Sequence, residues 1–150
     1  MEYLLREKLE RLVQTPHGCG EQIMVTLAPN VYVAQYLRAV NRLTPELRQR
    51  LEHNLLVGFQ QELTYALRDG SFSVFGESDG KGSMWLTAFV LQVFAEIEQT
   101  KLITVHGDVL TRAARWIVSK QLPTGRFPAR GYVLNREMQK FLNSYFAKTI

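Results

Sequence analysis

No stretch of this chain alternates apolar and polar residues as a half-buried strand would; its apolar residues recur three and four positions apart. Leu4, Leu5, Leu9, Leu12 and Val13 give an amphipathic helix that ends before Pro16. Gln22 to Val40 continues the helical pattern, with Pro29 marking a kink or a fresh first turn. Thr44-Pro45-Glu46 supplies a cap, a proline at the first helical position and an acid in the first turn, and opens a helix to about Leu67. Ser83 caps a strongly apolar helix through Glu98, Val105 to Gln121 forms another, and Asn135 to Phe146 a last one. The fold expected is all-α.

Asp69-Gly70-Ser71-Phe72 and Asp79-Gly80-Lys81-Gly82 read as turns, and so does the stretch through Thr124-Gly125-Arg126-Phe127. The first and last of these each follow a helix and precede a loop and another helix, about 55 residues apart, which is the pattern of a repeated helical hairpin. Stacked hairpins bury their faces against neighbours, so the chain is expected to be part of a longer ring or solenoid.

At 150 residues with 46% hydrophobic content, the chain can bury a core of its own. Its net charge of +4 comes from basic residues scattered along the chain, with no run of the kind that marks a nucleic-acid arm. The longest apolar run, Trp85 to Ala95, is interrupted by Thr87 and Gln92 and is too short to span a bilayer. Glu2, Glu7 and Glu10 sit among the first apolar positions, so no secretion signal is read there. One cysteine rules out an internal disulfide and leaves the compartment open.

That cysteine lies in Pro16-His17-Gly18-Cys19-Gly20-Glu21-Gln22. A lone cysteine is most often a small buried hydrophobe, but glycine on both sides removes bulk and opens backbone angles that a core position does not need. A metal site through His17 and Cys19 lacks a second pair of ligands, since His53 and His106 are isolated, so no metal or cofactor is expected. A Cys/His nucleophile pair requires the loop to fold His17 back. A fourth chemistry uses Gln22: the Cys19 sulfur attacks the side-chain amide, ammonia leaves, and an internal thioester closes over Gly20 and Glu21. Bulk at Gly18 or Gly20 obstructs that closure.

Gly18-Cys19-Gly20-Glu21-Gln22 resembles the thioester motif of the alpha-macroglobulin and complement superfamily. The resemblance continues through Ala28-Pro29-Asn30-Val31-Tyr32-Val33, through Asp69-Gly70-Ser71-Phe72-Ser73-Val74-Phe75-Gly76 and through Trp85-Leu86-Thr87-Ala88-Phe89-Val90, covering about Leu4 to Gln139, with a divergent tail over 140–150. It implies a partial α/α toroid of stacked helical hairpins, the thioester-containing domain, with Cys19 and Gln22 as the thioester pair. Alignment of motifs places the residue that sets nucleophile preference at Asn135. Complement-type members have histidine there, which captures the acyl group and directs it to hydroxyls. Asparagine has no titrating nitrogen to offer, so Asn135 implies direct attack by amines. The resemblance further implies a secreted protease inhibitor that traps amine-bearing protein surfaces covalently, once per molecule and so not as an enzyme, together with the remaining domains of a parent protein. The alternatives are an opsonin of the same chemistry, a non-covalent helical module with a free thiol, and a cysteine-based enzyme. Tyr32, Tyr36, Phe75, Trp85 and Phe89 are candidates to shield the thioester from water. The chain departs from the pattern at His17, at Met84 and at Lys140-Phe141, and it lacks the family's remaining hairpins.

Overall fold

The computed structural model describes residues 2–140, with side chains from residue 5 onward. Five α-helices run α1 Glu2–Leu12, α2 Gly20–Ala39, α3 Pro45–Leu63, α4 Met84–Thr100 and α5 Gly107–Ser119, with a 3-10 turn at Gly76–Asp79. Residues 136–140 begin a further helix, α6, and the sequence expectation that it reaches Phe146 lies outside the described residues. Among the described residues there is no strand, only one isolated bridge between Ala66 and Phe72. None of the described helices is long and apolar enough to cross a membrane.

The caps are where the residue types place them. Thr44 Oγ1 accepts from the Leu47 N–H and Ser83 Oγ from the Leu86 N–H, each satisfying a donor that the helix itself leaves unpaired. The ends of α4 and α5 lie two residues from the expected ones, and two further boundaries differ for structural reasons. α2 runs unbroken through Pro29 instead of restarting there. α3 stops at Leu63 instead of Leu67, because the chain returns on itself: the Leu67 N–H donates to Ser71 O and Ala66 bridges Phe72, which takes those backbone groups out of the helix.

α2 is the central element. It packs against α1, α3 and α4, while α4 in turn packs against α5. A helix with neighbours on several sides must be apolar around much of its circumference, and α2 buries Ile23, Met24, Leu27, Ala28, Val31, Val33, Ala34 and Leu37. The main core joins Met24, Leu27 and Val31 to Leu55 and Phe59 of α3, to Leu86, Val90, Val93, Phe94 and Ile97 of α4, and to Phe72 and Val74. Phe94 is its aromatic centre, meeting Phe59 edge-on at 4.9 Å and Phe72 at 6.1 Å between ring centroids.

The hairpin repeat is a repeat of backbone geometry. After α3, the Gly70 N–H donates to Leu67 O at 3.0 Å and the Leu67 N–H to Ser71 O at 2.8 Å; after α5, the Gly125 N–H donates to Leu122 O at 2.8 Å and the Leu122 N–H to Arg126 O at 2.8 Å. Each turn then delivers a carbonyl to the first residue of the preceding hairpin. Val74 O accepts from the Gly20 N–H at 3.1 Å, and Arg130 O accepts from the Met84 N–H at 2.8 Å. The chain is thus a partial α/α toroid in which the exit of each hairpin completes the entry of the same pair.

One buried polar network ties the loop before α2 to the core. Asn30 Nδ2 donates to Gln14 O at 2.9 Å and to Thr26 O at 2.8 Å, while its Oδ1 accepts from Asn54 Nδ2 at 3.0 Å. Thr15 Oγ1 donates to Asn54 Oδ1 at 3.0 Å. Asn30→Ala leaves Asn54 Nδ2 without a partner in the buried interior and takes a donor from Gln14 O. It is expected to destabilise the domain by about 2–3 kcal/mol, read from the urea midpoint against the exposed control Gln49→Ala.

Candidate functional site

Residues 13–19 cross from α1 to α2 and are fixed from three sides. Asn30 and Asn54 hold Gln14 and Thr15 as described, the Tyr65 hydroxyl donates to Gly18 O at 3.0 Å, and Val74 O takes the Gly20 N–H. Gly18 has φ +101°, a backbone angle that residues with a Cβ avoid. That angle places Cys19 at the N-cap of α2, with extended backbone at φ −77° and ψ 172°.

Cys19 and Gln22 then make the reciprocal contact of a capping box. The Cys19 side chain lies over the Gln22 backbone N–H, and the Gln22 carboxamide turns back so that Oε1 accepts from the Cys19 N–H at 3.1 Å. The space for this is made by Gly18: a methyl group there would stand 2.3 Å from Gln22 Oε1 and 3.1 Å from Gln22 Cδ. Sulfur and amide carbon therefore belong to one helical turn. The carbonyl oxygen points at a backbone donor on the positive end of a helix 20 residues long.

Asn135 is brought to the same turn from far away in sequence. Glu21 is 1% exposed, and its two oxygens accept from the backbone N–H groups of Leu134 (2.8 Å) and Asn135 (2.7 Å). Asn135 also caps α6, its Oδ1 accepting from the Met138 N–H at 3.0 Å. Glu21, Gln22, Val25, Leu134, Asn135, Arg136 and Glu137 line an open cleft of about 490 Å³, with Gln22 facing it from α2 and Asn135 from the opposite wall.

The strap that carries Asn135, residues 126–135, is seated on the start of α4. Arg130 O takes the Met84 N–H, and Gly131, at φ +80°, passes so close to α4 that a methyl group there would stand 2.4 Å from Gly82 O. On the strap, Tyr132 stacks against Phe75 with ring centroids 6.1 Å apart and 25° between planes. Phe75 directly follows Val74, whose carbonyl holds Gly20, so this aromatic pair bridges the two segments that meet the first turn of α2.

Of the five aromatic residues considered as shields, Phe75 is therefore joined to the site and Tyr32 and Tyr36 are not. Tyr32 lies ten residues beyond Gln22 on the same helix, about 15 Å along its axis, and Tyr36 another turn beyond. Trp85 and Phe89 pair with each other at 5.6 Å, and Phe89 is part of the core. His17 is exposed, with its Nδ1 3.2 Å from Thr15 O in its own loop. Four residues that the sequence did not single out complete the arrangement: Tyr65, Tyr132, Glu21 in its anchoring part, and Glu62. Glu62 could have been noticed, because it falls on the buried stripe Leu51, Leu55, Phe59 of α3 at helical spacing, where an acid is out of place.

Residues 1–149 match the family described as A-macroglobulin TED domain. The chain belongs to that family, the thioester-containing domains of the alpha-macroglobulin and complement superfamily.

Proposed function

We propose that Cys19 and Gln22 form an internal thioester and that the domain is a single-use acyl donor for amines. The Cys19 sulfur attacks Gln22 Cδ, the S–C bond forms, the C–N bond breaks, and the thiol proton leaves with the amide nitrogen as ammonia. The Cys19 N–H, already on Oε1 at 3.1 Å, faces the oxygen on which negative charge develops during that attack. The same donor afterwards polarises the thioester carbonyl toward an incoming nucleophile. An amine then takes the acyl group, forming an amide with Gln22 Cδ and returning the sulfur as a thiol. The bond made is permanent, so each molecule acts once and the domain is no turnover enzyme.

The observation that carries this reading is the reciprocal Cys19–Gln22 contact with Asn135 held on the facing wall of the cleft. An asparagine amide neither captures an acyl group nor acts as a base at neutral pH. The acyl group therefore waits for a nucleophile that needs no help, such as a lysine amine on a protein surface. On this reading the parent is a secreted, broad-range protease inhibitor, and its partners are proteases and other amine-bearing surfaces.

Intact mass and thiol titration of the full-length parent test it. The expected protein is lighter by one ammonia, silent to thiol reagents, and releases one thiol on treatment with methylamine, with methylamine incorporated well ahead of glycerol. Full mass with an immediately titratable thiol means a non-covalent helical module instead, and a preference for glycerol points to an opsonin of complement type.

A further inference from the structure

Two buried carboxyl groups meet beneath the reactive turn, and the acyl chemistry uses neither. Glu62 is wholly buried and neither of its oxygens has a hydrogen-bond partner. Its Oε1 faces the first residue of α2, where a methyl group on Gly20 would stand 3.3 Å away. Glu21, the next residue of α2, holds Leu134 and Asn135. Burial, and after it the charge on Glu21, push the Glu62 pKa well above the ordinary 4.5. Neither cause is a cation, and among the described residues neither Glu62 oxygen has a partner that would offset a second negative charge.

We propose that Glu21 and Glu62 act as a proton-controlled latch on the segment that carries Asn135. With Glu62 neutral, Glu21 clamps Leu134 and Asn135 against the first turn of α2; when Glu62 ionises, the clamp lets go. The groups around the pair are few. On α3, Gln61 precedes Glu62 with its Oε1 likewise buried without a partner, and the hydroxyl of Tyr65, three residues on, is committed to Gly18 O. The loop before α2 brings the Cys19 thiol, and the 71–74 segment and α4 bring the uncharged Ser73 and Leu86 against Gly20. At the start of α6, Arg136 and Glu137 stand exposed and line the same cleft as Glu21. The strap is where a second buried carboxylate is relieved. Glu62 has no partner to exchange, whereas Leu134 is 42% exposed and its N–H and that of Asn135 can pass to water when the strap lifts.

The sign follows from linkage. The folded domain keeps the Glu62 proton to a higher pH than the unfolded chain does. Its contribution to stability is therefore complete below the ordinary glutamate pKa of 4.5 and is lost as pH rises toward the raised value. Positioning of Asn135 weakens in the same direction. The chemical meaning of this latch rests on the thioester reading, but the latch itself consists of two carboxyl groups and two backbone N–H groups and is measured without reference to the thioester.

Amide hydrogen exchange at Leu134 and Asn135 in the full-length protein, corrected for the intrinsic rate, tests it across about pH 5 to pH 9. Protection in the wild type is expected to fall about tenfold or more as pH rises, while Glu62→Gln, which keeps the shape and cannot ionise, stays within about twofold over the same range. Glu21→Gln, left with one acceptor oxygen, is expected to lose protection at every pH and to show no further fall. Wild-type protection that does not change with pH, or a fall that persists in Glu62→Gln, overturns the latch. Methylamine-released thiol measured on the same samples reports the acyl chemistry separately: its absence with the exchange pattern intact counts against the thioester and leaves the latch standing.

Discussion

Gly18→Ala is expected to leave the domain folded and to abolish the methylamine-released thiol. The new Cβ would stand 2.3 Å from Gln22 Oε1 and 3.1 Å from Cδ, so the carboxamide must swing out of its contact with the Cys19 N–H. The amide carbon then leaves the turn that holds the sulfur, and a reaction between neighbouring groups loses the proximity that drives it. The backbone adds its own cost, because φ +101° is closed to alanine; holding a non-glycine residue there takes about 1–3 kcal/mol. Gly18 and Gln22 are both exposed, so the surroundings can absorb that strain without loss of core packing. The domain should therefore lose its chemistry before it loses its fold. Intact mass at full value, with one thiol titrating at once, is the expected result. Wild-type release of thiol by methylamine in this variant would falsify the proposed placement of the Gln22 carboxamide.

Gly131→Ala acts at the other end of the site. Its Cβ would stand 2.4 Å from Gly82 O and 2.5 Å from Ser83 Cα, both backbone positions at the start of α4, and φ +80° is again unsuited to a side chain. Neither neighbour can turn aside, because the Ser83 N–H is bonded to Phe72 O at 2.8 Å and Ser83 Oγ caps α4. The strap must lift, giving up the bond from the Met84 N–H to Arg130 O, the stacking of Tyr132 on Phe75 and the grip of Glu21 on Leu134 and Asn135. A loss of about 2–4 kcal/mol is expected in denaturant unfolding, with the exchange protection of Leu134 and Asn135 falling more than that of α2 itself. Equal loss at both places means that the strap and the core unfold together.

How much of this could be read from the sequence depends on how far apart the interacting residues lie. The starts of α3 and α4 were legible because a cap and the amide it serves are three residues apart, Thr44 with Leu47 and Ser83 with Leu86. The two matching turns were legible because glycine supplies their backbone angles locally. The end of α3 was not, since Leu67 is drawn out of the helix by Ser71 only once the chain has turned back. The continuity of α2 through Pro29 was hidden for a related reason: a proline breaks an isolated helix, whereas α2 is packed on several sides and does not restart there. Cys19 and Gln22 declared themselves through the glycines around them. Glu21 and Asn135 are 114 positions apart, and their pairing has no sequence pattern short of the family motif. Glu62 carries only the faint mark of an acid on an apolar stripe.

The carbonyls that close the first turns of α2 and α4 have a consequence for synthesis. Gly20 waits for Val74, Met84 for Arg130, and the facing wall of the cleft for Asn135. As a ribosome releases the chain from its amino end, the cysteine and glutamine emerge first and their seat is finished last. The turn that holds Cys19 and Gln22 is thus completed only after most of the domain has been made, so any joint work of the pair is postponed until residues more than 100 positions later have folded onto it.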